Sequence, residues 1–230
     1  MRKIRFYLFA LFLFTVACHV EGQEQEWTMD NKQEQILSFW FGELTTADKW
    51  DEEKAQTWFN VSETLDQEIR ETFGEDVLKA AAGDYSDWEM APRGRLALII
   101  LLDQFTRNIF RGTPRVYEFD HIARKLTLDG VSLGFDLELY PIERQFFYLP
   151  LMHSEDLDLQ ESSLKLFHAL KESSDHSYFA DVETYAKSHA KTIKTFGRFP
   201  HRNALLNREN TPAETKHLED STATYGQSST

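Results

Sequence analysis

Helix boundary signals recur along this chain, and they constrain its fold more than any other feature. Four prolines stand where a first helical turn would tolerate a missing backbone donor: Pro92, Pro114, Pro141 and Pro212. Five glycines follow stretches of helical character, where a left-handed cap suits them: Gly74, Gly83, Gly112, Gly130 and Gly197. The alternating pattern of a strand is nearly absent, and only residues 131–140 are ambiguous. We therefore predict an all-α fold of antiparallel helical pairs joined by short loops.

The apolar residues have helical spacing and are numerous enough to form a core. Leu65, Ile69 and Phe73 form an i, i+4, i+8 stripe, and the segment from Arg95 to Phe110 is the most apolar part of the body. The 18 Phe, 8 Tyr and 5 Trp supply ample side-chain area for burial. Because no low-complexity linker interrupts residues 31–220, we predict one helical domain there, with Arg95 to Phe110 as its central helix.

The first 22 residues have the pattern of an export signal. Arg2, Lys3 and Arg5 precede an apolar run of twelve residues from Phe6 to Ala17. Twelve residues are fewer than the roughly twenty that a membrane-spanning helix needs. We therefore predict an exported protein, with a polar tether at residues 23–30 and a disordered tail at residues 221–230.

Cys18, the single cysteine, directly follows the apolar run and leaves two processing alternatives open. Its position after Thr15-Val16-Ala17 resembles a lipoprotein lipobox, which would place a lipid at Cys18 and anchor a periplasmic protein to the membrane. Cleavage after Gly22 would instead discard Cys18 and release a secreted or periplasmic protein. In either case membrane contact is predicted only through lipid, and no disulfide can form within the chain.

The charge balance and missing motifs exclude several functional classes. A net charge of −13, with no basic run after the first five residues, disfavours nucleic-acid binding, so any anion site must be local. The chain lacks GxGxxG, GxxxxGK(S/T) and HExxH motifs and a glycine-flanked serine elbow. We therefore predict neither a cofactor nor a metal.

Three polar segments are candidates for a ligand site. In the first, the apolar central helix gives way to polar residues that span about 140° of one helical sector: Asp103, Gln104, Arg107, Asn108 and Arg111. The second is a glycine- and proline-shaped loop carrying Arg198, His201, Arg202 and Asn203. The third carries His153, Ser154 and Glu155.

Each segment also has a structural interpretation. The first could be a solvent-facing helix end with an Asp103–Arg107 pair, and the second could cap helices and pair with the many acids. In the third, Ser154 is expected to be the N-cap of the next helix.

Several long stretches closely resemble the bacterial family called domain of unknown function 924. They read ILSFWFGE, GRLALIILLDQFTRNIFRGTPR, FFYLPLMHSEDLDLQE and FGRFPHRN, and the resemblance covers roughly residues 34–220. It implies a tetratricopeptide-like helical fold and carries no assigned activity. The family's motifs fall on Arg95, on the polar end of the central helix, and on residues 153–156 and 198–203.

We derive two functional hypotheses and one structural alternative. The first is a pocket for a small anionic ligand, in which His153, Glu155 and His201 would transfer protons. Its ligand-binding residues would be Arg95, Asp103, Arg107, Asn108, Arg111, Arg198, Arg202 and Asn203. The second is a peptide-binding scaffold with an exposed aromatic groove that uses Trp40, Trp50 or Trp58. In the structural alternative, the same polar residues form buried salt bridges that fix helix packing.

Overall fold

The computed structural model describes residues 31–46 and 49–220, and the regular elements within them are helical. An isolated bridge between Thr46 and Lys49 is the sole extended pairing in this part of the chain. The predicted all-α class is confirmed. Over the same residues, no helix combines the length and apolarity needed to cross a membrane. The predicted signal with Cys18, the tether and the tail lie outside the described residues and stay predictions.

Ten α-helices follow one another through this region. They are α1 (Asn31–Phe41), α2 (Glu52–Thr57), α3 (Glu63–Ala82), α4 (Pro92–Ile99), α5 (Thr106–Ile109), α6 (Asp120–Ser132), α7 (Pro141–Met152), α8 (Leu157–Glu172), α9 (Tyr178–Phe196) and α10 (Pro212–Asp220). Short 3-10 turns occupy Ser86–Met90, Pro114–Tyr117, Phe135–Glu138 and Pro200–Arg202. The ambiguous residues 131–140 therefore contain the end of α6 and a 3-10 turn.

The predicted central helix runs through the core as α4, a π-helical segment at Ile100–Phe105, and α5. Helices α3, α6 and α7 pack around it, while α8 pairs with both α7 and α9. Leu96 through Leu102 are buried without a break, because this stretch has neighbours on every side. A π-helix inserts one extra residue into a turn and is often found at functional sites.

The predicted starts are confirmed for α-helices at Pro92, Pro141 and Pro212, whereas Pro114 begins a short 3-10 turn. The glycine predictions are partly wrong. Gly83 and Gly197 cap α3 and α9 in the left-handed conformation, as expected. Gly74 and Gly130 instead lie inside α3 and α6. A Cβ at Gly130 would contact the Phe147 ring and lie 2.7 Å from Cδ of Arg95, so this glycine allows α6 to approach its neighbours closely.

Gly94→Ala and Gly74→Ala are expected to change stability in opposite directions. A Cβ at Gly94 would lie 2.5 Å from the Trp88 carbonyl oxygen, and that backbone atom cannot move cheaply. We expect Gly94→Ala to lower the free energy of unfolding by about 1–3 kcal/mol. Gly74 has no atom within 4 Å of the added carbon, so the substitution there should add about 0.5–1 kcal/mol through helix propensity. Urea unfolding of the two variants tests both signs, and equal effects would contradict this account.

Candidate functional site

Asp103 and His153 form a buried carboxylate–imidazole pair where the π-helical segment meets the end of α7. Nδ1 of His153 lies 2.8 Å from Oδ1 of Asp103, and the Asp103 side chain is completely buried. Gln104 donates a hydrogen bond of 2.5 Å to the other carboxylate oxygen. The interpretation of this helix end as solvent-facing is therefore wrong, because α6 and α7 cover it.

Arg107 joins this pair to Asp120 at the start of α6. Its guanidinium lies 3.3 Å from the Asp103 carboxylate and donates to both oxygens of Asp120, at 3.1 and 3.3 Å. It also donates to the Asp103 carbonyl oxygen at 2.6 Å. One cation thus fixes two carboxylates from different helices.

Arg202 approaches the same group from the loop after α9. It donates to the His153 carbonyl oxygen at 2.8 Å, and its Nη1 lies 3.8 Å from the Asp120 carboxylate. Its guanidinium carbon lies 4.4 Å from the Tyr117 ring centroid and 4.6 Å from that of Phe199. Nε of Arg202 and the Tyr117 hydroxyl are buried without a hydrogen-bond partner among the described residues.

We call Asp103, Arg107, Asp120, His153 and Arg202 the central cluster. It contains residues from all three polar segments singled out in the sequence, so those segments do converge. Their functional role stays a prediction.

Two further imidazoles lie beside the central cluster. His189 of α9 is 6.4 Å from His153 between ring centroids, and its Nδ1 lies 2.8 Å from the Tyr185 carbonyl oxygen. The half-buried ring of His201 lies 5.5 Å from that of Phe199, which in turn packs edge-on against His189. Together with Arg202, the three histidines form what we call the histidine–arginine patch.

Glu155 and Asn203 belong to a neighbouring network that holds the loop after α9. Arg208 donates to both Glu155 oxygens at 2.6 and 2.9 Å, and the Phe199 backbone N–H donates to one of them at 2.7 Å. Asn203 is fully buried, where it donates to Asn210 at 2.7 Å and accepts from Arg208 at 2.9 Å. Glu155 is therefore engaged in positioning the loop.

Asn108 and Arg111 lie apart from the central cluster and bind Asp66 of α3. Asn108 donates to Asp66 at 2.8 Å, and Arg111 donates to both of its carboxylate oxygens at 2.6 and 2.9 Å. The polar residues of this helix end therefore face two different partners, since Arg107 binds Asp120 of α6 while Asn108 and Arg111 bind Asp66 of α3.

Arg95 and Arg198 also bind elsewhere. Arg95 donates to the carbonyl oxygens of Glu89 and Leu126, which ties α4 to α6. Arg198 forms a two-bond pair with Glu214 of α10, at 2.6 and 2.8 Å. The predicted joint ligand set of eight residues is therefore divided among separate networks, and of its arginines the central cluster holds Arg107 and Arg202.

The ionisation of the central cluster follows from burial and close charges. Burial opposes ionisation of Asp103, but Arg107 and His153 outweigh it and lower the carboxyl pKa to about 2. Burial lowers the pKa of His153, and Asp103 partly offsets that effect. Burial, together with the positive charges of Arg202 and Arg107, lowers the pKa of His189 and of His201 to about 3. At neutral pH the cluster therefore has an ionised Asp103 beside neutral imidazoles.

Sequence reasoning missed Asp120, His189, Tyr117 and Arg208, and it misassigned Ser154. Asp120 and Tyr117 follow the central helix in a stretch without any motif, while His189 and Arg208 lie in polar stretches where nothing distinguishes them from their neighbours. The N-cap of α8 is Asp156, whose carboxylate accepts from the Leu159 N–H at 3.0 Å, and Ser154 is buried. Within residues 31–46 and 49–220, no group of three His, Cys, Asp or Glu side chains is arranged to hold a metal ion.

The comparisons with known proteins settle the family. The model of the family described as "Bacterial protein of unknown function (DUF924)" matches residues 36–222, most of the chain. This chain belongs to the DUF924 family. The DUF924 protein is similar to a solved structure from Agrobacterium tumefaciens titled "Structure of Protein of Unknown Function ATU0120", with a TM-score of 0.71 and 32% identity. The match covers 83% of this chain and 98% of the other. None of the curated proteins is significantly similar to this DUF924 protein.

Proposed function

We propose that this DUF924 protein binds a small anionic molecule at the histidine–arginine patch. The observation that carries the proposal is Arg202, a buried guanidinium stacked between two rings with an unpartnered Nε. A buried donor without an acceptor costs about 1–3 kcal/mol. A carboxylate or phosphate oxygen at Nε would remove that cost with a charge-assisted hydrogen bond.

The electrostatic field around His189 and His201 supports this proposal. Burial is the main cause of the low pKa of each imidazole, and the positive charges of Arg202 and Arg107 add to it. A field that disfavours an added proton favours an anion. The hydroxyl of Tyr117, buried and unpartnered beside Arg202, would provide a further donor.

The charge count of the site favours an anion of low charge. Asp103, Asp120 and Glu155 are balanced by Arg107, Arg202 and Arg208. A monoanion would add one uncompensated charge, which protonation of an imidazole can neutralise. Because the anion raises the imidazole pKa from its low value in the free protein, we expect affinity to increase as the pH falls from 6 toward 4.5.

A thermal-shift screen at constant ionic strength tests the proposal. Phosphate, sulfate and acetate are added against a chloride background to the wild type, Arg202→Lys and Arg198→Gln. A ligand at a hundred times its Kd should raise the Tm of the wild type by about 5–10 °C. Arg202→Lys retains the charge but loses the planar stack and the Nε donor, so its shift should vanish.

Arg198→Gln is the matched control, because Arg198 pairs with Glu214 outside the central cluster. Its shift should equal that of the wild type even if its own Tm is lower. Calorimetric titration at 15 °C, on variants whose circular dichroism spectra are native, separates lost binding from lost folding. Equal anion shifts in Arg202→Lys and the wild type would refute the proposal.

The peptide-scaffold alternative has weaker support in this fold. Trp40 and Trp58 are buried in the core, and Trp50 packs against His176, Tyr178 and Phe179. The exposed aromatic groove expected from these tryptophans is therefore missing. Nothing in their arrangement favours a peptide over a small anion.

A further inference from the structure

We infer that His153 is the proton acceptor of this site, that Asp103 fixes its tautomer, and that the bound anion carries the proton it removes. This inference rests on the proposed function, since it names the chemistry done to that ligand. The substrate class is a small carboxylate or phosphate compound with an acidic X–H group. The protein would then be an enzyme rather than a binding protein.

The contact with Asp103 determines the tautomer of His153. Asp103 is ionised and can only accept hydrogen bonds, so the proton in the 2.8 Å contact belongs to Nδ1 of His153. Nε2 of the neutral ring then carries a lone pair. It points away from Asp103, because the two ring nitrogens face different directions.

Nε2 of His153 is neither hydrogen-bonded nor fully enclosed. The structure gives it no hydrogen-bond partner among the described residues, and it is not among their buried unpartnered atoms. The His153 side chain remains 16% exposed although Asp103 is completely buried. The reactive nitrogen is thus accessible while the group that orients it is shielded from water.

Two other carboxylates, Glu183 and Glu155, differ from Asp103 in their exposure or in their partners. His168 lies 3.0 Å from Glu183, but its side chain is 62% exposed and water screens that pair. Glu155, predicted as a proton-transfer residue, accepts from Arg208 and Phe199, which lower its pKa against the effect of burial. Neither Glu183 nor Glu155 is therefore a buried carboxylate that fixes the tautomer of an imidazole.

The proton-transfer step is balanced without any other reactant. Nε2 takes the proton of the X–H group, and the electron pair of the broken bond remains on X. His153 becomes an imidazolium whose charge is stabilised by Asp103, and it later returns the proton to the product or to water. Arg202 and the Tyr117 hydroxyl would hold the anionic group of the ligand during this exchange.

Alkylation with bromoacetate and with neutral bromoacetamide tests the inference on the whole chain. In each case the Nε2 lone pair attacks the methylene carbon, an N–C bond forms and bromide leaves. We expect bromoacetate to label His153 at Nε2 with saturation kinetics, at least tenfold faster than it labels the exposed His121, and phosphate to protect His153. Peptide mapping by mass spectrometry gives the rate at each histidine.

The two reagents separate the inference from the proposed function. If both label His153 preferentially but bromoacetate neither saturates nor is blocked by phosphate, the proton acceptor stands and the anion site fails. If neither reagent labels His153 faster than His121, the proton acceptor is overturned. Phosphate could still protect whichever histidine bromoacetate labels. Saturable protection of that kind would support the anion site even if His153 is not the proton acceptor.

A tautomer measurement on the unmodified protein gives a second readout that needs no variant. Long-range proton–nitrogen correlation NMR of 15N-histidine protein at pH 7 should show His153 as the Nδ1–H tautomer, the less common form in water. Asp103→Asn should shift the ring toward a mixture of tautomers and slow alkylation at Nε2. An Nε2–H tautomer in the wild type would overturn the inference.

Discussion

Replacing Asp103 with alanine is expected to lower the free energy of unfolding by about 3–5 kcal/mol, because it strands buried partners. Arg107 would keep Asp120 but lose its other carboxylate, and His153 and Gln104 would each lose an acceptor in a place that water does not reach. Urea unfolding at pH 7, followed by circular dichroism, measures the change.

Asp129→Ala is the matched control for Asp103→Ala. Asp129 forms an exposed i, i+4 pair with Lys125 on α6, in which both side chains are well solvated. Exposed pairs of this kind contribute little, so the control should lie within about 1 kcal/mol of the wild type. A loss at Asp103 no larger than that at Asp129 would show that the central cluster does not stabilise the fold.

Lowering the pH from 6 to 4.5 is expected to reduce the free energy of unfolding by about 3–4 kcal/mol. His189 and His201 have a folded-state pKa of about 3, against an unfolded value near 6.5. Between these values the unfolded chain binds more protons, so stability falls as the pH falls. Each histidine adds a slope near 1.4 kcal/mol per pH unit. Asp103 adds its own loss only below its unfolded pKa of about 4.

His189→Gln tests the assignment of that slope. The variant removes one of the two groups with the largest shift, while His201 and His153 remain, so its stability should depend on pH less steeply than that of the wild type between pH 6 and 4.5. The slope is informative even if the variant is less stable overall, because the comparison is within one protein. A wild-type stability that stays constant across this range would contradict the buried, neutral state of both imidazoles.

Local signals explain how much of the fold could be predicted. The helix starts at Pro92, Pro141 and Pro212 depend on neighbours within one turn, and a linear pattern contains that information. The Thr211–Glu214 capping box is of the same kind, with reciprocal bonds of 2.7 and 3.2 Å. The role of Gly130 could not be predicted from its neighbours in the sequence, because it depends on contacts with Phe147 and Arg95 on other helices.

Prediction of the candidate site was limited in the same way, because its contacts join residues that are far apart in the sequence. Sequence reasoning selected Asp103, Arg107, His153 and Arg202, since clustered polar residues within apolar stretches are unusual. It could not choose among the arginines, because the choice depends on which acid each one meets. Arg111 and Arg198 meet Asp66 and Glu214, both distant in the sequence, and those acids look like any others in a strongly acidic chain.

The π-helical turn at Ile100–Phe105 makes the chemistry of this protein depend on residue count as well as residue identity. One additional residue in a turn rotates everything after it by roughly 100° relative to an uninterrupted α-helix. Deleting Leu102 would leave each charged side chain in the chain and the i, i+4 spacing of Asp103 and Arg107 unchanged, yet it would rotate these two residues together relative to α4, away from His153 and Asp120. A leucine without a polar side-chain atom thus determines how far the second half of the central helix is rotated relative to the first. Relatives that have one residue fewer in this turn would be expected to lack the central cluster even where the same five residue types are present.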